Sequence, residues 1–463
     1  MSFDINTASG LLRVVADNPE AEFEALLQKI SPVDRELLLA VDFDFCEYWR
    51  DEKNSVALTA LFYINGASGS VAIAVLRREQ FDASEKTWRS QANALDDLLS
   101  VLPVSLCSLD SVFQLLPISI PKPWGQEIWY TGIEKRGVAE VGPRGRSVPL
   151  PWLLAVAPKR LTGGVQQPVL LKILDPLPEP VFGDLYFELH REKQEVYVVT
   201  AVDERAWPDG VGAIRFGFDA RRRHEYGNDT AFMQAYLAAV RDYRSVRKQI
   251  DEQLDTFRLR DGIELNAPVS ADTLADWLGE VSGELQAQEA SLRAHMELFT
   301  ASKPLKVGDV VKVPCLLPHS LQHGVRTVEF QTPVYERLIL SFAQKVLTQS
   351  EWDTEEAAGV LQLDPEPQTP FPLMAEGEGW KEEQIVRFDD FEVRRIFLQP
   401  NAQMHLQHDR KYGLGMVVGH AMSLGEICLN PDDAVLLPTN FRPVALRNDG
   451  IDSAYFLLAL PLL

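Results

Sequence analysis

The sequence predicts a mainly β protein with helical parts: two β-barrels, a helical insert in the first, and an N-terminal region that is mostly helical. Short strand-like segments separated by turn residues fill 116–227 and return after about residue 300. Between 228 and 300 the apolar residues recur instead at helical spacing. A loop-rich stretch near 362–380 precedes a last strand-rich region, which indicates a domain boundary.

The sequence of the N-terminal region predicts helices that pack, and we find no candidate catalytic or metal-binding residues in it. The segments "NPEAEFEALLQKI" and "SQANALDDLLSVL" carry apolar residues at helical spacing. We therefore expect a packing or interaction module of unknown role here. The predicted domains are 1–115, a barrel over 116–361 with a helical insert at 228–300, and a C-terminal barrel over 380–463.

The insert begins with a strong helix signal in "NDTAFMQAYLAAVRDYRSVRKQIDEQLDTF". Asn228 or Asp229 can cap its first turn, because a short polar side chain accepts a hydrogen bond from the free backbone N–H groups there. One apolar stripe then runs from Phe232 to Phe257 at helical spacing. A second stretch, "SADTLADWLGEVSGELQAQEASLRAHMELF", behaves in the same way, so we expect two long helices.

Charge and composition exclude several kinds of partner. The chain carries 45 Lys and Arg against 67 Asp and Glu, a net charge of -22, which predicts no binding to nucleic acid or to an anionic membrane surface. No apolar run approaches the ~18 residues of a membrane span, and we read no signal peptide at the start. Four scattered cysteines without a paired spacing suit reduced thiols, so a cytoplasmic location is expected.

A candidate metal site lies in "GDLYFELHREKQEVYVV". Glu188 and His190 stand two residues apart on a predicted strand, so both side chains project from one face. The polar turn after them lets Glu195 return on the neighbouring strand. Two carboxylates and an imidazole inside a barrel are costly without a partner, and a divalent cation supplies one. Nitrogen and oxygen ligands of this kind suit Zn, Fe, Mn or Ni.

A fourth ligand is expected from "GDVVKVPCLLPHSL", where His319 follows a strand that ends at Pro314. Together the two stretches resemble the two metal motifs of the cupin (jelly-roll) superfamily. The residues that match the first motif are Gly183, Glu188, His190 and Glu195. Those that match the second motif are Gly308, Pro314 and His319. This resemblance implies two cupin barrels and the metal ligands Glu188, His190, Glu195 and His319.

The resemblance narrows to the type I mannose-6-phosphate isomerases. "PKPWGQEIW" (Pro121–Trp129) is similar to that family's opening strand, and "PVLLKILD" (Pro168–Asp175) to the strand before its first metal motif. Lys193, Gln194 and Glu195 match its Lys-x-Glu pattern. Glu329-Phe330-Gln331 and then Arg337 follow His319, as a Glu-x-Gln and a substrate-binding arginine follow the family's last metal histidine. The resemblance covers residues from about 116 to 463.

The resemblance implies an isomerase that interconverts an aldose phosphate and a ketose phosphate, first of all mannose 6-phosphate and fructose 6-phosphate. A divalent metal ion, with zinc the expected species, would stabilise the developing oxyanion. Lys193 and Glu329 are the two candidate bases, and Arg337 would orient the substrate or stabilise enediolate charge. Lys172 and Arg191 are further candidates for the basic groups of the pocket. The expected partner is a small sugar phosphate.

Departures from the family pattern keep two other hypotheses open. Glu188 stands where the family has Gln, and Arg191 stands where it has Pro. One alternative is a metal-binding cupin without catalysis that senses a sugar phosphate. Another is an oxidoreductase on the same scaffold, such as an iron dioxygenase. The C-terminal β region lacks the motif histidine, since Pro443 occupies its place, so that barrel is expected to be structural.

Overall fold

The computed structural model describes residues 10–30, 36–52, 54–66, 68–91, 94–365 and 369–462. Two compact units account for them. The first unit comprises the described residues of Met1–Ile118, Trp129–Leu171 and Phe371–Leu463, and the second comprises those of Ser119–Ile128 and Lys172–Pro370. This division assigns 129–171 to the first unit, and the predicted domains 1–115, 116–361 and 380–463 stay a prediction. No helix in the described ranges is long and apolar enough to cross a membrane.

The N-terminal region of the first unit forms a five-stranded sheet with three helices. The elements are β1 (Leu11–Val15), α1 (Pro19–Leu27), β2 (Leu37–Cys46), β3 (Ser55–Ile64), β4 (Val71–Arg77), α2 (Arg78–Gln91), α3 (Leu95–Val101) and β5 (Cys107–Ser108). The sheet order is β1-β2-β3-β4-β5, with β1 parallel to β2 and the other pairs antiparallel.

The expectation of a mostly helical N-terminal region is therefore wrong. The predicted helices exist as α1 and α3, but the sheet between and beside them was missed. β2 and β3 read "LLLAVDFDFC" and "SVALTALFYI", and most of their residues are buried. A strand buried on both faces has a continuous apolar run with no period of two, so periodicity does not separate it from a buried helix.

Short strands and two helices follow over 113–176. They are β6 (Phe113–Leu116), β7 (Ile118–Lys122), β8 (Gly125–Trp129), β9 (Ile133–Glu134), β10 (Gly137–Val138), β11 (Glu140–Val141), β12 (Val148–Pro149), α4 (Leu150–Val156), α5 (Pro158–Thr162) and β13 (Leu170–Pro176). β6, β11 and β12 join the large sheet of the first unit, whereas β7, β8 and β13 join a sheet of the second.

The second unit continues with strands on both sides of a helical segment. Its elements are β14 (Phe187–Leu189), β15 (Glu195–Val202), β16 (Gly212–Phe218), α6 (Ala220–Glu225), α7 (Asp229–Arg260), α8 (Ala271–Glu280), α9 (Gly283–Glu297), β17 (Thr300–Leu305), β18 (Val310–Val313), β19 (His319–Leu321), β20 (Val325–Gln331), β21 (Leu338–Ser341) and α10 (Thr354–Ala358).

Two open sheets pack face to face in the second unit. The six-stranded sheet has the order β18-β15-β20-β13-β8-β7, and the five-stranded sheet has the order β17-β16-β19-β14-β21. A shared apolar core takes Tyr197 and Val311 from the first sheet and Ile214, Leu321 and Ile339 from the second. No closed barrel is found in the described residues. Alternating burial predicts the packed faces of strands, but closure depends on which edge strands pair, and the sequence pattern does not carry that information.

The helical insert predicted over 228–300 is present between β16 and β17, which pair antiparallel with each other. The Asn228 side chain caps α7 by accepting a hydrogen bond from the Ala231 backbone N–H at 2.9 Å. The second predicted helix is two helices, α8 and α9. The break follows from Ser282, whose hydroxyl accepts a hydrogen bond from the Leu285 N–H and starts a new helix there.

The last region belongs to the first unit and is built of strands, as the sequence predicts. They are β22 (Leu373–Gly377), β23 (Trp380–Arg387), β24 (Phe391–Leu398), β25 (Gln403–Leu406), β26 (Gly413–Val418), β27 (Met422–Leu424), β28 (Ile427–Leu429), β29 (Ala434–Leu437), β30 (Val444–Arg447) and β31 (Ala454–Pro461). A nine-stranded sheet, β12-β11-β6-β29-β26-β31-β24-β23-β22, and a four-stranded sheet, β25-β30-β27-β28, enclose one apolar core.

The insert packs on the outer face of the five-stranded sheet through aromatic residues. Phe232 and Tyr236 of α7 are fully buried against Phe218 of β16 and against Phe299. Phe187 and Leu189 of β14 belong to the same cluster. Side chains alternate between the two faces of a strand, so Glu188, which lies between these two residues, points toward the opposite face of the sheet.

Phe232→Ala should destabilise the second unit by about 3–5 kcal/mol, because it leaves a cavity among packed aromatic rings. Leu259→Ala is the control on the same helix, since Leu259 is 67% exposed, and its effect should stay within about 0.5 kcal/mol. Urea denaturation followed by tryptophan fluorescence measures both. Equal effects of the two variants would contradict the described packing of α7.

Candidate metal centre

The candidate ligands come from both sheets of the second unit. Glu188 lies in β14 and His319 begins β19, and the two residues are direct partners in the antiparallel pairing of these strands. His190 follows the end of β14. Glu195 begins β15, in the six-stranded sheet. The site is thus held between two sheets, and strand pairing fixes the backbone of each ligand-bearing segment.

The side chains of these residues converge on one region. Glu188, His190 and His319 each offer a ligand atom, and these three atoms lie within 4.8 Å of one another. The His190 and His319 rings are 5.2 Å apart between centroids. Glu195 lies beside them, with Oε1 3.5 Å from His190 Nε2 and Oε2 3.2 Å from His319 Nε2. The structure brings all four predicted residues together, and their binding of a metal stays a prediction.

Hydrogen bonds on the far side of each imidazole fix which nitrogen faces the site. His190 Nδ1 lies 2.9 Å from the Glu336 carbonyl oxygen, and His319 Nδ1 lies 3.1 Å from the Leu317 carbonyl oxygen. A carbonyl only accepts, so each Nδ1 carries a proton, and the Nε2 atoms face the site. This arrangement, with a backbone carbonyl behind the ring, is the one that orients metal-binding histidines.

The electrostatics of the cluster favour a bound cation. Burial, together with the charge of Lys193, lowers the pKa of His190 well below its usual value, so the ring stays neutral. Its lone pair then faces carboxylate oxygens of Glu188 and Glu195, which also only accept. Within the described residues, His190 Nε2 and Glu188 Oε2 are buried without a hydrogen-bond partner. A divalent ion satisfies all of these atoms, so the residues present fit a metal.

Glu195 is the most constrained of the four side chains. Lys193 Nζ lies 2.6 Å from its Oε1, and the Tyr197 hydroxyl donates to its Oε2 at 2.7 Å. Burial opposes the charged form of Glu195, but the adjacent charge of Lys193 helps to hold the pKa of this carboxyl group well below its usual value. The carboxylate therefore stays charged while it is 2% exposed. Lys193, a predicted catalytic residue, is accordingly placed at the site.

A row of charged side chains continues across the six-stranded sheet from Glu195. Lys172 of β13 places its Nζ 3.2 Å from Glu329 Oε2 and 3.8 Å from Glu127 Oε1. Lys122 of β7 lies 3.1 Å from the other oxygen of Glu127. These residues come from four neighbouring strands of one sheet. Each lysine of this row is thus paired with a glutamate inside the sheet.

Glu329 has one oxygen bound and one without a partner. Its Oε2 contacts Lys172, whereas its Oε1 is buried with no hydrogen-bond partner among the described residues. Burial raises the pKa of Glu329 well above its usual value, and the nearby charge of Glu195 adds to the increase. A carboxyl group with a raised pKa holds a proton more readily than an ordinary carboxylate, which suits it to proton transfer.

Arg337 lies at the edge of the same site. Its Nη1 is 3.8 Å from Glu188 Oε2, and its guanidinium lies 4.5 Å from the centre of the Tyr186 ring. Nη2 donates a hydrogen bond of 2.7 Å to Thr348 Oγ1. The side chain keeps 25% of its surface exposed, so the guanidinium can contact a ligand.

Arg191 and Lys172, the two further candidates for basic groups of the pocket, lie in different environments. Arg191 is exposed and pairs with Glu356 at 2.7 Å, so it faces solvent instead of the site. Lys172 is buried inside the sandwich, as described above. A lysine inside the otherwise apolar strand "LLKIL" was the signal for it.

Three residues of the site were missed by sequence reasoning: Tyr197, Glu127 and Lys122. Tyr197 was detectable, because it stands two residues after Glu195 on the same strand face. Glu127 and Lys122 join the site through strand order alone, because β8 and β7 lie beyond β13 in the sheet.

The C-terminal strands hold no comparable cluster within 369–462. His405 is exposed, and His408 Nδ1 accepts a hydrogen bond from the Arg410 backbone N–H at 3.3 Å. Neither belongs to a group of three potential ligands in the described part of the chain. The structural role predicted for this region stays a prediction.

The structure is similar to the mannose 6-phosphate isomerase from Bacillus subtilis, with a TM-score of 0.50 and 14% identity over 75% of this chain and 99% of that one. A mutant of phosphomannose isomerase from Salmonella typhimurium aligns with a TM-score of 0.49, 12% identity, and coverage of 76% and 100%. A zinc-bound mannose 6-phosphate isomerase gives the same values. The predicted resemblance to type I phosphomannose isomerases is thereby confirmed as a likeness of fold. No protein-family model and no curated protein sequence matches the chain.

His190→Ala should remove the metal from purified protein, because it deletes a lone pair at the centre of the cluster and leaves carboxylates unpaired. Elemental analysis after dialysis measures the metal per chain. His420→Ala is the control, since His420 is 52% exposed and outside the cluster. Full metal content in His190→Ala would contradict this ligand assignment.

Proposed function

We propose that this chain is a metal-dependent aldose–ketose isomerase that acts on a sugar phosphate, with mannose 6-phosphate and fructose 6-phosphate as the first pair to test. The observation that carries the proposal is the convergence of Glu188, His190 and His319, whose atoms face one another without satisfying one another. Cationic and acidic side chains surround this cluster inside the same sandwich. The fold, which resembles that of a mannose 6-phosphate isomerase, supports the choice of reaction class.

The proposed metal ligands are Glu188, His190, Glu195 and His319, and zinc is the proposed ion. Two imidazoles with carboxylate oxygens form a donor set typical of catalytic zinc. Iron, manganese and nickel accept the same donors, so metal analysis decides among them. A bound divalent ion would polarise the carbonyl and hydroxyl oxygens at C1 and C2 of the sugar.

Glu329 is the proposed base that moves the proton between C2 and C1. Among the described residues its Oε1 has no hydrogen-bond partner and is therefore available, whereas Lys172 holds Oε2 and fixes the orientation of the carboxylate. The raised pKa of Glu329 favours both taking and returning the proton. Lys193, the other candidate base, already donates to Glu195 at 2.6 Å. We therefore assign Lys193 to holding Glu195 and to contacting substrate oxygens.

Arg337 is proposed to bind the substrate and to stabilise negative charge on the enediolate. Its guanidinium approaches Glu188 Oε2 at 3.8 Å, close enough for a sugar oxygen near the metal to accept a hydrogen bond from it. A fixed cation beside the developing charge lowers the barrier, because it needs no reorganisation during the reaction.

The test of the proposal joins metal analysis to an isomerisation assay over hexose and pentose phosphates. Zinc-loaded protein should interconvert one aldose–ketose pair, and chelation should abolish turnover. If the loaded protein binds a sugar phosphate and never isomerises it, the chain is a sensor. Iron together with oxygen consumption would instead identify the oxidoreductase.

Glu329→Gln should lower turnover by about 10²–10⁴-fold, because the amide cannot take the proton. Metal content should stay unchanged, since Glu329 is not a proposed ligand. Glu192→Gln is the control, because Glu192 is exposed on the turn before Lys193. Unchanged turnover in Glu329→Gln would indicate that Lys193, and not Glu329, is the base.

Arg337→Ala should leave the metal in place and lower turnover by roughly 10²-fold, because the arginine acts on substrate charge. Arg326→Ala is a matched control: Arg326 is 23% exposed and pairs with Asp175 at 3.5 Å in the same unit. Steady-state kinetics with elemental analysis measures both effects. Loss of metal in Arg337→Ala would show that the arginine supports the ligands instead.

A further inference from the structure

A cavity of about 260 Å³ lies in the second unit, between the helical insert and two loops of the sandwich. α7, α8 and α9 line it on one side, and residues 180–182 and 343–347 line it on the other. Apolar side chains of Ile250, Leu254 and Leu274 form much of its wall. It shares no lining residue with the metal centre. Its volume is somewhat below the range of roughly 300–1,000 Å³ typical of drug-sized ligands, so it suits a small molecule.

The charged residues of this wall are mostly cationic, although the chain as a whole carries a net charge of -22. The four cations are Arg247, Arg258, Arg293 and Lys345, and Glu289 is the one carboxylate among the lining residues. Asp251 and Asp255 contact the cations from outside the lining, at 2.9 Å from Arg247 and 2.7 Å from Lys345. Arg293 pairs with Glu289 at 3.3 Å and with Glu297 at 3.8 Å, so these three cations each have a carboxylate oxygen within 3.3 Å.

Arg258 has the longest ion pair of the four cations. It is 4% exposed, and its Nε is buried with no hydrogen-bond partner within the described residues. Its Nη1 donates to the Ala267 carbonyl at 2.6 Å, and the nearest carboxylate oxygen, of Asp255, is 3.8 Å away. Lys345 already holds both oxygens of that carboxylate, at 2.7 and 2.9 Å. The guanidinium also lies 5.6 Å from the centre of the Trp277 ring. A buried guanidinium whose nearest carboxylate oxygen is beyond hydrogen-bond distance is still costly, and an anion beside it would lower that cost.

The loop that lines the cavity opposite α7 is strained. Val181 lies in the left-handed region with φ of 73°, which a β-branched residue rarely adopts. Such strain persists only where the surroundings enforce it, and it concentrates at ligand-binding positions. Phe182, the next residue, packs against the apolar cluster of the insert.

We propose that this cavity binds a small amphipathic anion: an apolar body that carries one carboxylate or phosphate group. The anionic group pairs with Arg258, and the apolar body lies against Ile250, Leu254 and Leu274. A guanidinium binds either group through paired N–H donors, so both head groups share this chemistry. The site is separate from the metal centre and does not depend on the proposed isomerase activity.

Calorimetric titration of the full chain with octanoate, octyl phosphate and octanol tests the proposal. At least one of the two anions should bind at one per chain, and octanol should bind at least about tenfold more weakly. Arg258→Met should lower the affinity for the anion by at least about tenfold and leave the affinity for octanol unchanged. Arg260→Met is the matched control, because Arg260 is two residues further on, exposed, and paired with Glu280 at 2.8 Å.

Two further variants keep the test decisive. Ala290→Phe adds bulk at the mouth of the cavity, where Ala290 is exposed, and should block all three probes even if Arg258→Met does not fold. His190→Ala should bind the anion normally, which separates this site from the metal centre. Failure of both anions to bind, binding equal to that of octanol, or binding unaffected by the altered cavity would overturn the proposal.

Discussion

The ion pair between Lys193 Nζ and Glu195 Oε1, 2.6 Å long and almost fully buried, is the interaction on which the site depends. Breaking a buried pair leaves an unpaired charge, which costs about 3–5 kcal/mol. Lys193 therefore keeps Glu195 ionised between the sheets. The charged Glu195 then lies against His190 and His319, so that one carboxylate and two lone pairs face one another. A cation is the partner that this arrangement lacks.

The helical insert supports this arrangement from the outside of the five-stranded sheet. β14 alternates between the two environments: Phe187 and Leu189 pack on the helices, and Glu188 turns inward. The aromatic cluster thus holds the strand that presents the candidate ligand Glu188 on its other face. The same helices enclose the cavity around Arg258 on another part of their surface. One inserted segment therefore supports the candidate metal centre and lines the cavity.

The two strand-rich parts of the chain share an architecture and differ in chemistry. The strands over 373–461 enclose a core of aliphatic and aromatic side chains and bury Glu382 and Glu392, both paired with Arg394. The sandwich of the second unit buries lysines, glutamates and histidines together beside its apolar core. Buried charge is retained only where pairing or a ligand compensates it. The sequence shows that Pro443 replaces the motif histidine, but it does not show where the row of charged side chains from Glu195 to Lys122 lies.

The sequence by itself determined that Glu188, His190 and Glu195 converge, because a period of two places Glu188 and His190 on one face and a short polar turn returns Glu195 beside them. It also determined the helical insert, through the cap at Asn228 and an apolar stripe at helical spacing. Only the tertiary structure decided that Glu127 and Lys122 lie in one row with Lys172, that Arg191 faces solvent, and that the N-terminal region contains a sheet. The physical reason is that strand order, edge pairing and the burial of continuous apolar strands depend on contacts between segments distant in sequence, and local periodicity carries no record of those contacts.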